Sequence, residues 1–243
     1  MQQLKQVFIQ ANNGTLNTDD LQALAGIAEN SQQHLLNTAN AKDENGGYVF
    51  SGYQTDIEPF SQQPDKSVVY LGDNGVRELQ ISKNILVATN QTGNDAFEKV
   101  PNEMGAFSAT YNVNTSGISV SSAVISAPGN YDTVNFPPDY HFSFTSPADL
   151  NVTDGNGVSV FSTNAYAPGQ TIAFNGVEVK LNGNALPGDD FVLTPQQNIS
   201  IFDTVKSAID WMNQGTTALN PVQHNVDYDE ILGQLEQALH HMT

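Results

Sequence analysis

Cysteine is absent from the 243 residues, and basic residues are scarce, with 8 Lys and Arg against 26 Asp and Glu. The lack of cysteine excludes disulfides, thiolate nucleophiles and most zinc sites. The formal net charge of −18 argues against nucleic-acid binding and against binding to anionic membranes, because both need a basic surface. No apolar run approaches the roughly 20 residues that span a bilayer. The N-terminal residues also lack the pattern of a classical signal peptide.

The first forty residues have the apolar spacing of two helices. Leu4, Val7, Phe8 and Ala11 recur at helical intervals, and a stop at residues 12–14 ends the first helix. Thr18 is the predicted N-cap of a second helix that runs to about residue 41, with acidic residues in its first turn. These patterns predict an antiparallel helical hairpin. The apolar spacing begins at the first residues and continues to the last, which indicates a fragment of a longer protein.

After residue 60 the periodicity changes from helical to alternating. Residues 47–60 favour a half-buried extended surface that ends at Pro59, and we interpret them as a hinge between two architectures. Strands are predicted at residues 68–71, 76–81 and 85–89, with a hairpin turn at Asn74-Gly75. A short helix is expected around residues 96–100. Further strands are expected near residues 106–113, 117–126, 141–145 and 157–162, and residues 170–194 form the clearest hairpin unit.

Near residue 199 the helical spacing returns. A helix over residues 200–214 begins at a capping-box-like Ser200 and Asp203, and a last helix over residues 227–242 follows a turn at Asn220-Pro221. The predicted fold class is therefore α+β: an antiparallel, coiled-coil-like helical rod carrying an inserted all-β domain of sandwich or barrel type. The predicted domains are a discontinuous helical core at residues 1–60 and 199–243 and an inserted β domain at residues 61–198.

Several acidic residues and histidines are candidates for chemical sites, and none has the spacing of a known motif. Residues 154–157 supply too few oxygen ligands for a calcium loop, and a hairpin turn explains them. Asp189 and Asp190 are adjacent and point apart, so solvation in a loop is expected. Asp56 and Glu58 adjoin a domain junction. No zinc-helix spacing links the histidines, which are His34, His141, His224, His240 and His241. We therefore predict no catalytic, cofactor-binding or metal-binding residues, no cofactor, and a protein that is not an enzyme.

Three stretches, taken in order, resemble one protein family. They are NNGTLNTDDLQALA followed by GYVFSGYQTDIEPF, then VYLGDNGVRELQISKNILVATNQTGNDAF, and then GQTIAFNGVEVKLNGNALPGDDFVLTPQQNISIFDTV. Together they cover over half the chain and resemble the hook-filament junction proteins of the bacterial flagellum, or hook-associated protein 3, which are relatives of flagellin. The family's outermost terminal segments, which carry heptad repeats that drive assembly, are not matched.

The resemblance implies a structural subunit of an axial tube that adapts the hook to the filament. Its implied partners are further copies in an axial ring, the first hook-associated protein, flagellin and a cytoplasmic export chaperone. Its implied location is the extracellular flagellum, reached through the flagellar export apparatus, without nucleic-acid or membrane partners.

Three alternatives remain open at this point. One is flagellin itself. Another is a carbohydrate-binding or adhesin-like β module with helical flanks, which would need an exposed aromatic platform, for example from Tyr111, Tyr131, Tyr140 or Tyr166. A glycoside-processing enzyme would need paired carboxylates in a cleft. Trp211, the single tryptophan, is interpreted as a partly buried helix contact, or else as an anchor for a neighbouring subunit.

Overall fold

The computed structural model describes residues 1–215 and 220–242, with helices towards both ends and β-strands between them. The helices are α1 (Gln2–Ala11), α2 (Thr18–Ala39), α3 (Ile201–Gln214) and α4 (Pro221–His241). The strands are β1 (Phe60–Gln62), β2 (Val68–Tyr70), β3 (Glu78–Ser82), β4 (Ile85–Ala88), β5 (Val100–Pro101), β6 (Phe107–Val113), β7 (Ser119–Ile125), β8 (Tyr140–Phe144), β9 (Leu150–Thr153), β10 (Ser159–Thr163), β11 (Thr171–Phe174), β12 (Val177–Asn182), β13 (Asp190–Pro195) and β14 (Asn198–Ile199). No helix of the described residues is long and apolar enough to cross a bilayer.

The chain divides into two compact units, and both are discontinuous in sequence. The first unit is Met1–Val100, Asn198–Thr217 and Ile231–Thr243, and the second unit is Pro101–Gln197 and Ala218–Glu230. The first unit therefore extends about forty residues beyond the predicted boundary at residue 60. The predicted division into a helical core and an inserted β domain at residues 60 and 199 stays a prediction. Residues 216–219 and 243 of its helical part lie outside the described residues.

The helices of the first unit pack through the predicted apolar stripes. Leu4 and Phe8 of α1 and Leu24 and Ala28 of α2 are buried. The ring of Phe8 meets Trp211 of α3 edge to face at 5.3 Å, a geometry that aromatic pairs prefer. Burying a Leu or Phe side chain contributes about 1.5–3 kcal/mol, so the stripes stabilise this unit substantially.

The predicted coiled-coil-like rod is wrong, although the α+β class fits. The first unit is mixed, because its helices share one compact body with the two-stranded sheets β1–β2 and β3–β4. The segment Asn94–Glu98 forms a short π-helix, and its Phe97 packs against Phe202 of α3. The apolar stripe of α3 is therefore buried partly against residues of the loops and strands. A coiled coil would instead repeat one helix–helix seam over several heptads.

The second unit is built on two larger antiparallel sheets that share a hydrophobic core. One sheet has the strand order β10-β9-β8-β13-β6, and the other has the order β11-β12-β7. Burial alternates along β8 and β12, as expected for strands with one face on a core. Phe142 of β8 stacks on Phe191 of β13 at 4.7 Å within that core. The unit is thus a multi-sheet β body.

Turn chemistry was predicted correctly in one hairpin and wrongly in another. Asn175 and Gly176 have φ angles of 41° and 72°, which suit the tight turn joining β11 and β12. By contrast, Asn74-Gly75 does not form a hairpin, because β2 pairs with β1 and β3 pairs with β4.

The predicted helix starts also shift. Asn17, not Thr18, caps α2 through a full capping box with Asp20. Ser200 caps α3 by accepting from the N–H of Phe202. Helix α4 begins at Pro221, in place of the predicted turn, because the Asn220 side chain accepts from the N–H groups of its first turn.

Candidate functional site

The hinge predicted at residues 47–60 forms a compact loop held by Asp73 in the first unit. Asp73 Oδ1 accepts the N–H of Tyr53 at 2.9 Å and the N–H of Gly75 at 2.7 Å. The Asp73 N–H in turn donates to the carbonyl of Ser51. Hydrogen bonds from Tyr53 and Gly75 hold the pKa of the Asp73 carboxyl below its ordinary value. Asp73 therefore ties two loops that lie about twenty residues apart in the sequence.

Gly52 lets this loop approach Asp73 closely. Its φ of 74° is left-handed, and a Cβ built there would collide with the Asp73 carboxylate and lie 2.5 Å from the Asp73 carbonyl oxygen. Only glycine fits both constraints without displacing the backbone.

An aromatic cluster joins the hinge to the returning helix α3. We define it as Phe50, Phe60, Tyr70, Phe97 and Phe202. Phe60 lies 5.1 Å from Phe202 and 5.2 Å from Phe97, measured between ring centroids. The Tyr70 hydroxyl is 3.0 Å from the Phe50 carbonyl and 2.7 Å from the Asp73 carbonyl. The cluster thus connects the outgoing and returning arms of the chain.

Asn40 links the end of α2 to the same cluster. Its Oδ1 accepts the N–H of Phe60 at 2.9 Å, and its Nδ2 lies 2.8 Å from both the Phe60 carbonyl and Glu58 Oε1. This arrangement offers hydrogen bonds and packing rather than a nucleophile with its base. The hydrogen bonds of Asn40 therefore have a structural role: they fix the direction in which the chain leaves α2.

One pocket of the second unit has several ionisable residues in its wall. Its volume is about 210 Å³, and Glu230 and Tyr111 lie in its wall with Glu103 and Asp229. Burial, with a smaller contribution from Asp227, raises the pKa of Glu230 to about 7. Burial also raises the pKa of Tyr111, whose hydroxyl oxygen accepts the N–H of Val120 at 2.9 Å. The pocket was not predictable from local pattern, because its wall combines segments as far apart in the sequence as Glu103, Tyr111 and Glu230.

The acidic positions considered from the sequence do not come together. Asp190 contacts Asn112, whereas Asp189 accepts from Thr115 and from the Leu186 N–H. Asp189 is fully buried, so the expected solvation in a loop is wrong for it. Burial raises its pKa, but hydrogen bonds from Ser116, Leu186 and Thr115 outweigh burial and leave the pKa low. Its role is to hold a turn.

The loop at residues 154–157 is a turn organised by Asp154. The buried carboxylate accepts through Oδ1 from the N–H groups of Asn156 and Val158, each at 2.9 Å. Within the described residues, no three His, Cys, Asp or Glu side chains cluster as metal ligands would. Asp56 is exposed, and Glu58 contacts Asn40.

The aromatic residues considered as a binding platform are largely inside the second unit. Tyr140 and Tyr166 are buried, and Tyr111 and Tyr131 are half-buried. Desolvation by burial raises the pKa of all four hydroxyls. The exposed platform that a carbohydrate-binding module needs is therefore not formed by these residues. Trp211 is also buried, against Phe8, which confirms the helix-contact interpretation.

Comparison with known proteins places these features in a family. A scan against models of protein families finds no match. Flagellar hook-associated protein 3 of Escherichia coli K12 is 33% identical over 100 residues, which are 41% of this chain and 31% of that relative. The matched stretch thus spans less than a third of the curated relative's length.

Solved structures match over nearly the whole chain. Flagellar hook-associated protein-3 of Legionella pneumophila is 30% identical with a TM-score of 0.76, covering 99% of this chain and 76% of its own. A second structure from that organism, described as the flagellar junction protein FlgL, is 29% identical with a TM-score of 0.74 and the same coverage. Xanthomonas campestris FlgL has a TM-score of 0.78, covers 99% of this chain and 78% of its own, and at 23% identity supports only the mixed fold.

Because the Legionella pneumophila protein reaches 30% identity and this chain covers 76% of its length, the chain belongs to the flagellar hook-associated protein 3 family.

Proposed function

We propose that the protein is a structural subunit of the bacterial flagellum that adapts the hook to the filament at their junction. The observation that carries the proposal is the fold match over 99% of the chain to Legionella pneumophila hook-associated protein-3. The description of a second structure from that organism as a flagellar junction protein supports the same position.

The proposed mechanism is mechanical. The aromatic cluster and the Asp73 hydrogen bonds hold the outgoing arm of the chain against α3 of the returning arm. A load applied to either arm is then transmitted through close-packed side chains, which deform little. Such a fixed joint suits a subunit between two tubes that turn together.

We propose that the protein is not an enzyme and has no catalytic, cofactor-binding or metal-binding residues. Both carboxylate oxygens of Asp189 and Oδ1 of Asp154, which are buried acids, accept hydrogen bonds from backbone N–H groups. The Glu230 pocket, at about 210 Å³, is smaller than the roughly 300–1,000 Å³ typical of ligand pockets. A pocket of about 470 Å³ beside β9 and β10 has that size, but among the described residues of its wall Asp149 is the one ionisable side chain. These features support structural roles for the acidic side chains.

The partners and location follow from the same proposal. Copies of the protein form an axial ring between the first hook-associated protein and flagellin, and an export chaperone holds the chain in the cytoplasm. The protein is secreted through the flagellar export apparatus and functions outside the cell. The absence of cysteine and the net charge of −18 suit assembly without thiol chemistry and good solubility. In this proposal, each subunit of the assembly consists of a helical core (residues 1–60 and 199–243) and an inserted domain (residues 61–198).

The test is complementation in Escherichia coli lacking its own hook-associated protein 3. The chain is joined to the terminal segments of the Escherichia coli protein and expressed in that strain. We expect filaments to be retained on hooks and swimming in soft agar to be restored, while terminal segments without this chain restore neither. Stable, secreted chimera with bare hooks would contradict the proposal.

A further inference from the structure

The β3–β4 hairpin is an apolar arm whose side chains lack cover within the described first unit. We define the arm as residues 76–90. Every residue of β3 and β4 is exposed. The large apolar side chains on the arm are between 39% and 61% exposed, and they are Val76, Leu79, Ile81, Ile85, Leu86 and Val87.

This exposure is unusual for a strand pair. In the described structure β3 pairs only with β4, so both outer edges of the arm remain unpaired. A two-stranded hairpin with nothing packed on it is marginally stable in water. Exposed edges with apolar side chains attract further protein unless they are covered. The arm therefore has the features of a surface that becomes buried in an assembly.

The base of the arm is held firmly although its length is bare. The N–H of Arg77 donates to Asn90 Oδ1 at 2.6 Å, and Asn90 Nδ2 donates to the carbonyl of Gly75 at 3.0 Å. The N–H and hydroxyl of Thr89 both donate to the carbonyl of Arg77, at 2.7 and 3.0 Å. The hydrogen bonds at the base hold the arm in one orientation, so its exposed apolar side chains are available for contact with a partner.

The strand register places apolar groups on both faces of the arm. Leu79 lies opposite Val87, and Gln80 lies opposite Leu86. Because neighbouring side chains in a strand point to opposite faces, Leu79 and Val87 cover one face and Leu86 lies on the other. The partner must therefore offer a groove or a strand edge.

Charge identifies the kind of partner. The arm carries Arg77 and Lys83 with a single acidic residue, Glu78, in a chain whose net charge is −18. Four other lysines form ion pairs with acidic side chains, and they are Lys5, Lys66, Lys99 and Lys206. Among the described residues, Arg77 and Lys83 form no such pair, and the same is true of Lys42 and Lys180. The arm differs in carrying two of these basic residues within seven positions. A strongly acidic surface is the complement of the arm.

A second copy of the chain supplies such a surface. Half-exposed side chains of this size present on the order of several hundred Å² of apolar surface, a large part of the roughly 800 Å² that one partner buries in a stable interface. Because the arm is slightly basic and the remainder of the chain is acidic, the contact joins two different surfaces. Contacts of that type generate rings or helical assemblies rather than closed pairs.

We infer that the β3–β4 arm docks onto an acidic surface of a neighbouring copy of this chain. The inference rests on the proposed function, because it names the contact by which copies of the protein would associate.

The first test is self-association of the purified chain, followed by sedimentation velocity from about 10 µM to about 1 mM. We expect concentration-dependent association, and a combined Leu79→Thr, Ile81→Thr and Leu86→Thr variant should raise the dissociation constant at least about tenfold. The matched control is Val134→Thr with Val158→Thr, which removes exposed apolar groups of the second unit, 84% and 54% exposed. Circular dichroism confirms that each variant is folded. A monomeric wild-type chain across this range, or equal weakening by the control, would overturn the inference.

The second test examines charge. Lys83→Glu should weaken association and reduce its dependence on salt, whereas Lys180→Glu, an exposed lysine on β12, should leave both unchanged. An equal effect of the two reversals would mean that total charge, not the arm, controls association.

The third test identifies the surface that the arm contacts. Since the chain has no cysteine, Lys83→Cys allows one photoreactive label to be attached to the arm. Mixing labelled ¹⁴N chain with unlabelled ¹⁵N chain distinguishes links between copies from links within one copy. We expect links between copies at acidic segments, and links only within one copy would refute the inference. In cells, links exclusively to a different protein would refute the choice of a second copy.

Complementation separates this inference from the proposed function. If the wild-type chimera restores filaments and the triple-threonine chimera does so equally well, the arm is not the contact and the inference fails alone. If the wild-type chimera fails, the proposed function fails, whatever the association assays show.

Discussion

Gly52 and Asp73 show how two residues determine the path of the hinge. Asp73 accepts from backbone groups on both sides of it in the sequence, and Gly52 supplies the left-handed turn and the space that this contact needs. The conformational cost of such a turn is smallest for glycine. Replacement of Gly52 is therefore disfavoured for two separate reasons, the left-handed backbone conformation and the collision of a Cβ with Asp73.

Replacing Gly52 tests both costs against a control in the same loop region. Gly46 has a φ of 83° with nothing within 4 Å of a built Cβ. Gly46→Ala should therefore lower the free energy of unfolding by only about 1–2 kcal/mol, which is the cost of a left-handed alanine. Gly52→Ala should lose at least about 2 kcal/mol more, because its Cβ meets the Asp73 backbone. Urea unfolding followed by fluorescence of Trp211, the single tryptophan, measures the difference. Equal losses would show that Asp73 moves aside freely.

Glu230 makes the stability of the protein depend on pH. Burial raises its pKa from 4.5 to about 7, so between these values the folded state holds a proton that the unfolded state releases. The contribution of Glu230 to stability should therefore fall as the pH rises from about 4.5 to 7 and then level off. The charged groups nearby are Glu103, Asp227 and Asp229, and they add no compensating positive charge.

Glu230→Gln removes this dependence. The variant should be about 1–2 kcal/mol more stable than wild type at pH 8 and nearly equal at pH 4.5, after allowance for partial solvent exposure of the carboxylate. Thermal unfolding by circular dichroism across this range gives the comparison. Asp229→Asn, which removes an exposed carboxylate from the same helical turn, is the control. An unchanged slope in Glu230→Gln would assign the pH dependence to another group.

Helix caps illustrate how local sequence sets the ends of elements. Asn17 Oδ1 accepts the N–H of Asp20 at 3.0 Å, and the Asn17 N–H donates to the Asp20 carboxylate at 3.1 Å. The same logic begins α4 at Pro221, where Asn220 caps the first turn. A polar residue followed by helix-compatible residues therefore fixes each start to one position.

Removal of the α2 cap should destabilise the first unit by about 0.5–2 kcal/mol in Asn17→Ala. Asn17→Ser, which keeps an acceptor oxygen, should recover most of that loss. The shift in urea midpoint, again read from Trp211, is the measurement. If alanine and serine behaved alike, the hydrogen bonds of the cap would contribute nothing measurable.

Elements governed by local pattern were predictable, and elements governed by distant partners were not. The stripes of α2 and α3 and the Asn175-Gly176 turn follow from spacing and turn chemistry. The Asn74-Gly75 hairpin was wrong, because Asp73 instead recruits the N–H of Tyr53, twenty residues earlier. The burial of Asp189 depends on Thr115, which lies 74 residues away. No local pattern records such partners.

The organisation of the whole molecule follows from where the chain crosses between compact units. Both units are assembled from separated segments, so neither can form until distant parts of the chain meet. The helical stripes alone suggested a rod. In the structure, those stripes pack within a mixed unit that also contains β1–β4 and the aromatic cluster. Periodicity reports which face is buried, but it does not report what buries it.

We propose that copies of this fold form a layer of subunits between hook and filament. Electron cryomicroscopy of hook–filament junctions, isolated from cells that carry the complementing chimera, tests the claim most directly. We expect a discrete layer of density at the junction into which both compact units fit. Density for this chain distributed along the filament, or a junction without it, would show that the protein is not the junction subunit.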